Sequence, residues 1–140
     1  MIREFEYSDK LDIQRLFEEL TDSRISDSDL MNRLDFINNS SIDSLSVYAL
    51  NNSVIGLLGF RIRENMEENS RYSEISVIVV DSNFQKQGIG KQLLEFAEQL
   101  AKDLNCKGTW LVSGFGRKEK KHQFYKSFGY VSTGYEFVKQ

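Results

Sequence analysis

Residues 85–91 read Gln-Lys-Gln-Gly-Ile-Gly-Lys, and their two glycines, Gly88 and Gly90, stand where one kind of backbone must become another. Upstream lies the apolar run Ile-Ser-Val-Ile-Val-Val (75–80), and downstream KQLLEFAEQLAKDL (91–104) has helical spacing. Glycine in the first turn of a helix costs about 1 kcal/mol against alanine, so something requires a main chain free of side chains there. A strand end, a glycine turn and a helix start together make an anion site. The first helical N–H groups have no internal partner, and the helix dipole adds positive potential. Lys86 and Lys91 add charge. Phosphate is the chemistry this pattern suits. A Walker A loop is excluded, because Gln92 follows Gly90-Lys91 and Gln85 stands where the earlier glycine belongs. A dinucleotide fingerprint is excluded too, because Leu93 replaces its third glycine. What remains is Q-x-x-G-x-G at Gln85, Gly88 and Gly90.

Other reactive side chains are few. A single cysteine, Cys106, and a single histidine, His122, exclude an internal disulfide and argue against a Cys/His metal site. Cys106 sits between a helix end and a strand, which suits a small buried residue, and only Lys107 is near enough in sequence to lower its pKa. The net charge of −3 removes nucleic acid as the default partner. That charge is uneven: residues 1–40 carry ten acids and five bases, whereas 117–126 carry five bases and one acid. Such runs are either solvated faces or a basic end that meets an anion and an acidic part that tolerates a cationic substrate. The sequence has no apolar run of membrane-spanning length and no signal-peptide pattern. With the lone cysteine, the expectation is a cytoplasmic, reducing setting and no membrane partner.

To position the glycine turn, the chain must supply a strand before it and a helix after it, and both patterns are present. IREFEY opens as a short strand. Ser8 or Asp9 can cap a first helix on which Ile13, Leu16, Phe17 and Leu20 share a stripe. A second helix starts near Ser26 or Ser28, carries Leu30, Leu34 and Ile37, and ends at Asn38-Asn39-Ser40. LSVYAL (45–50) and SVIGLLGFRIR (53–63) form a hairpin through Asn51-Asn52, since asparagine tolerates positive φ. RYSEISVIVV (71–80) ends apolar on both faces and reads as a central strand. The strongest helix runs from Gln87 to Leu104, with Leu93, Leu94, Ala97, Leu100, Ala101 and Leu104 on one stripe. KGTWLVSG (107–114) is a strand with Trp110 in its core-facing part, 118–128 is a helix closed by Gly129, and YVSTGYEFVK (130–139) is a final strand pair. This order predicts one domain over 1–140, an α/β chain of the α+β type. Its mixed, mostly antiparallel central sheet has about seven strands and is flanked by four helices.

The segment VVDSNFQKQGIGKQLLEFA (79–97) resembles the fourth strand, pyrophosphate loop and third helix of the GNAT superfamily of acyl-CoA-dependent N-acyltransferases. HQFYKSFGY (122–130) resembles that family's F-Y-x-x-x-G-[FY] segment, and the opening strand, two helices and hairpin follow its order. The resemblance spans essentially the whole chain and is tightest from Glu74 to Tyr130. It implies the GNAT fold and acetyl-CoA, or a close acyl-CoA, as donor cosubstrate, with no metal. The fourth and fifth strands would splay, pantetheine would pair with the main chain at Ile78, Val79 and Val80, and the pyrophosphate would take amides from Gln85, Lys86, Gln87, Gly88, Ile89, Gly90 and Lys91.

Transfer of an acyl group to an amine requires a deprotonated amine, a stabilised oxyanion and a protonated leaving thiolate. The resemblance implies that Tyr125 is the acid for the thiolate, the alternative being an aromatic packed beside Phe124 and Phe128. Glu74, flanked by Ile75 and Val77, is the candidate base, acting directly or through a water, the alternative being an ordinary carboxylate at a strand's start. A backbone N–H near Val80 would serve the oxyanion. Lys118 stands where many members hold an asparagine against pantetheine, which puts that contact in doubt. With Arg117, Lys120 and Lys121 it forms a basic group that either meets the CoA 3′-phosphate or is simply solvated. His122 suits a substrate or CoA contact or, more readily, a surface role. The first two helices would set acceptor choice, and Glu4, Glu6, Glu18, Glu19, Glu67 and Glu68 would favour a cationic primary amine, whether a small molecule or a peptide. A competing reading is a non-catalytic acyl-CoA-binding regulatory module. Small members of the family often form homodimers.

Overall fold

The computed structural model describes residues 1–113 and 119–140, the side chains of Glu119 and Lys120 excepted. Strand β1 (Ile2–Glu4) leads through a 3-10 turn (Tyr7–Asp9) into helix α1 (Lys10–Thr21). The Asp9 carboxylate closes that turn by accepting from the Glu6 amide at 2.8 Å and from Arg3 at 2.9 Å. Helix α2 (Asp27–Asn38) starts at Ser26, whose hydroxyl accepts from the Asp29 amide at 3.1 Å. Strands β2 (Asp43–Leu50) and β3 (Ser53–Glu64) form the hairpin, and Asn51 (φ 51°) and Asn52 (φ 66°) take the left-handed turn that asparagine tolerates. Strand β4 (Arg71–Val80), helix α3 (Ile89–Asp103), strand β5 (Thr109–Leu111) and helix α4 (Glu119–Ser127) complete the order.

The sheet order is β1-β2-β3-β4-β5, antiparallel throughout except for the parallel β4–β5 pair. Each sheet face buries its own core. One holds Ile13 and Leu16 of α1 and Leu30 and Leu34 of α2 against Val47, Leu57 and Val79. The other holds Leu93, Leu94 and Ala97 of α3 against Ile55, Leu58, Phe60 and Ile75. Each fully buried leucine or isoleucine contributes about 1.5–3 kcal/mol, so the predicted helical stripes become the adhesive between layers.

Strand β4 departs from regularity in two places. Gly59 pairs with Val77 and Phe60 with Ile75, so Ser76 is an extra residue, a β-bulge. The bulge switches the side-chain alternation: Val77 and Val79 join the core under α1 and α2, while Ile75 packs with Ile78 and Val80 under α3. A Cβ on Gly59 would stand 2.8 Å from the Ser76 Oγ and 2.9 Å from the Val77 Cβ, so only glycine fits opposite the bulge. Further, β4 pairs with β5 from Ser73 to Ile75, and from Ser76 to Val80 it has no strand partner on that side among the described residues.

The expected class stands, with five strands among the described residues rather than seven. Of the segment predicted as a strand over 107–114, the described residues 107–113 give only Thr109–Leu111 as strand, and 130–139 forms no strand pair. Alternation along 130–139 identifies which side chains would share a face. It does not supply a partner for the backbone, and Val131, Tyr135, Phe137 and Val138 are all exposed.

Candidate active site

Where β4 leaves β5, a small cleft of about 70 Å³ opens. Ser76 and Ile78 line one wall, Leu111 and Ser113 the other, and Lys121 and Tyr125 of α4 close it. Tyr125 is held by ring contacts with Phe124 (5.4 Å) and Tyr130 (6.2 Å). The Tyr130 hydroxyl donates to Glu98 of α3 at 2.9 Å, and burial, followed by that hydrogen bond, pushes its pKa up, so it stays a phenol that ties α4's end to α3.

The glycine loop follows the C-terminal end of β4, just beyond the cleft. After Val80 a 3-10 turn (Ser82–Phe84) leads to Gln85, whose side chain donates to the Val80 carbonyl at 3.3 Å. Lys86 (φ 63°) and Gly88 (φ 81°) both take left-handed backbone, and Gly88 is the N-cap of α3. Nothing lies within 4 Å of a Cβ placed on Gly88, so its conformation, and the open space before it, explain the glycine. Gly90 has a different reason. A Cβ there would stand 3.2 Å from the Phe124 ring, so this glycine lets α4 close onto the first turn of α3. Gln85, Lys86, Gln87 and Lys91 are exposed around the helix mouth. The bare cap, the lysines and the open edge of β4 fit a chain of the pantetheine type that ends in a diphosphate.

Helix α1 fixes this loop from behind. The Arg15 guanidinium makes a close ion pair with Asp81 and donates to the Val54 carbonyl at 3.1 Å. Asp12 accepts from the Val54 amide at 2.9 Å. Asp81, only 6% exposed, also accepts from the Asn83 amide at 2.8 Å, so one nearly buried carboxylate holds the turn that starts the loop.

A larger cavity of about 450 Å³ lies on the α1–α2 side. Phe17, Arg24, Arg33, Phe36 and Asp43 line it, and so does Ser76, which it shares with the small cleft. The bulged Ser76 thus borders both spaces.

The structure brings Ile78 and Tyr125 together at the cleft and puts Gln85 to Lys91 at the helix mouth. Val79 is buried toward α1 and α2, Val80 lies partly buried under α3, and Ile89 is a core residue, so these three are available through main chain only. Glu74 lines neither cavity. Its carboxylate takes Arg63 at 3.2 Å, and Arg63 also lies 5.1 Å from the Trp110 ring beside it. His122 is half-buried on α4 and lines neither cavity. Lys118 and Arg117 lie outside the described residues. Glu18 accepts from the Ile25 amide at 3.0 Å and Glu68 pairs with Lys107 at 3.0 Å, so these acids brace loops rather than line a cavity. Burial pushes the Cys106 thiol pKa up, in keeping with an inert thiol. Sequence reasoning missed Ser76, Arg24 and Arg33. A serine inside an apolar strand run was the one available signal for the bulge. Among the described residues no acidic, cysteine and histidine cluster is arranged to hold a metal, and no helix is long and apolar enough to cross a membrane.

Comparison with known proteins agrees with this geometry. The model of the acetyltransferase (GNAT) family matches residues 11–130, and the chain belongs to that family. An aminoalkylphosphonate N-acetyltransferase of Salmonella typhimurium is 29% identical over 89 residues, covering 64% of this chain and 57% of that enzyme. A GNAT family acetyltransferase of Staphylococcus aureus is 33% identical, with a TM-score of 0.85 over 100% of this chain and 97% of that one. An aminoglycoside N-acetyltransferase solved in complex with CoA shares the fold at 15% identity, with a TM-score of 0.87 over 100% of this chain and 93% of that one.

Proposed function

We propose that the protein moves an acetyl group from acetyl-CoA to a primary amine by direct attack on the thioester. The observation that carries this reading is the parting of β4 from β5 after Ile75, with Tyr125 at the cleft and the open glycine cap at the helix mouth. In this reading the main chain of Ile78 to Val80 and of Gln85 to Lys91 holds the donor, with Lys118 and its basic neighbours toward the 3′-phosphate. A new N–C bond forms as the C–S bond breaks. One amine proton leaves to Glu74, through a water because Glu74 stands outside the cleft, and a main-chain N–H near Val80 stabilises the oxyanion. Tyr125 gives its proton to the leaving thiolate. The acyl donor is then a cosubstrate, and no metal is needed.

The test is thiol release from acetyl-CoA across a panel of amines: a diamine, an aminoglycoside, a lysine peptide and an aminoalkylphosphonate. CoA binding is measured in parallel by calorimetry. Thiol release that depends on an amine supports the transferase. Binding of CoA with no turnover on any amine supports a non-catalytic acyl-CoA-binding module instead, and no CoA binding refutes both.

A further inference from the structure

The larger cavity carries an uncompensated positive charge. Arg3, Arg15, Arg61, Arg63 and Arg71 each form an ion pair with a carboxylate. Among the described residues Arg24 and Arg33 do not, and both line this cavity. Among the described residues the one acid in its wall is Asp43, and it is already committed: Arg61 stands 3.1 Å from it, and the Ser40 hydroxyl also donates to it at 3.2 Å. Arg33 is held in place, since its guanidinium donates to the Asn32 side chain and stacks 5.2 Å from the centre of the Phe36 ring. The cavity therefore pairs two spare guanidinium groups with apolar walls at Phe17 and Phe36, and its lining includes Ser76, the residue it shares with the cleft that holds Tyr125. Guanidinium forks match oxyanions, and a cationic substrate here would face repulsion that no free carboxylate among the described lining residues offsets.

We infer that the acceptor is an amine tethered to an anionic group, a phosphate, phosphonate or carboxylate, which Arg24 and Arg33 hold while the amine reaches past Ser76 toward the cleft. This deepens the acetyltransferase reading and rests on it. It also reverses the expectation, drawn from the acid-rich first helices, that the acceptor is purely cationic. Those acids lie off the cavity, and the charge that faces the substrate is positive.

The experiment compares four short amines that differ at the far end: O-phosphoethanolamine, β-alanine, ethanolamine and 1,2-diaminoethane. Each is run with the wild-type chain, with Arg24→Gln, with Arg33→Gln and with Arg33→Glu. The wild type should favour the two anionic amines over ethanolamine by at least about tenfold in kcat/KM, and disfavour the diamine. Each glutamine variant should raise KM for the anionic amines about tenfold, far more than for ethanolamine, with acetyl-CoA KM and kcat little changed. Arg33→Glu should shift preference toward the diamine. Preference for β-alanine over O-phosphoethanolamine would assign a carboxylate, and the reverse order a phosphate or phosphonate. Equal kcat/KM for all four amines, or an equal loss on all four in the arginine variants, overturns the inference. If no amine turns over while CoA binds, the transferase reading fails first. The cavity is then judged by calorimetric binding of O-phosphoethanolamine, and affinity unchanged by Arg24→Gln and Arg33→Gln overturns the anion site as well. Arg24 and Arg33 are exposed, so these variants should fold.

Discussion

Replacing Gly59 with alanine tests whether the bulge at Ser76 is held by its neighbour across the β3–β4 pair. The added Cβ would stand 2.8 Å from the Ser76 Oγ, 2.9 Å from the Val77 Cβ and 3.1 Å from the Val77 Cγ2. The serine hydroxyl can rotate away. The Val77 Cβ is one bond from the main chain and can only move with the strand. Carbon atoms rest at about 3.5–4.0 Å, so the two strands must part locally by about 0.6 Å or more. Overpacking of this kind costs about 1–3 kcal/mol. For a domain of this length each 1 kcal/mol lowers Tm by about 4 °C, so Gly59→Ala should lose about 4–12 °C by calorimetry. The displaced segment lines both cavities through Ser76, so kcat should fall as well, by about tenfold, without a matching loss of CoA affinity. Gly134→Ala is the control: nothing lies within 4 Å of its added Cβ, and its Tm should move by no more than about 2 °C. If Gly59→Ala melts and turns over like the wild type, the bulge is not fixed by steric exclusion and the reasoning fails.

Three further outcomes are expected. Tyr125→Phe should lower kcat about 100-fold while leaving acetyl-CoA KM within about threefold, and equal losses in both would remove the phenol as the acid. Gly88→Val puts a branched side chain at φ 81° on the helix mouth, so CoA binding by calorimetry should be lost while circular dichroism stays native; retained affinity would move the diphosphate elsewhere. The hydrogen bond from Arg3, offset in part by burial, holds the Asp9 carboxyl below its usual value. A group depressed in the folded state stabilises above its ordinary pKa and stops doing so as pH falls through the folded value. Acid unfolding of the wild type should therefore steepen below about pH 4, and Asp9→Asn should show a shallower slope there; identical slopes would mean the pair does not couple folding to protons.

Local chemistry was readable from the sequence wherever the cause was local. Asn51-Asn52 predicts its own turn, Ser26 its own cap, and the stripe from Leu93 to Ala101 its own buried face, because each depends on residues a few positions apart. Gly88 and Gly90 were recognisable as special, yet only the structure separates their reasons, a left-handed cap for one and the Phe124 ring for the other. What sequence could not supply were features made by distant segments. The bulge needs Gly59 opposite Ser76, and the spare charge of Arg24 and Arg33 appears only after every other described arginine has found its carboxylate. Glu74 had a persuasive position in the strand, and its engagement with Arg63 and Trp110 is a cross-strand matter. The alternating tail at 130–139 had a strand pattern, yet it pairs with no strand among the described residues.

Helix α1 does two jobs with opposite sides. Asp12 and Arg15 grip Val54 and Asp81 at the back of the glycine loop, while Phe17 and Thr21, roughly half a turn around the cylinder, look into the cavity. In the proposed reaction, exchanging residues on one side of a single rod would rewrite which molecule is modified. The loop proposed to grip the universal half of the reaction, on the rod's other side, would be left untouched.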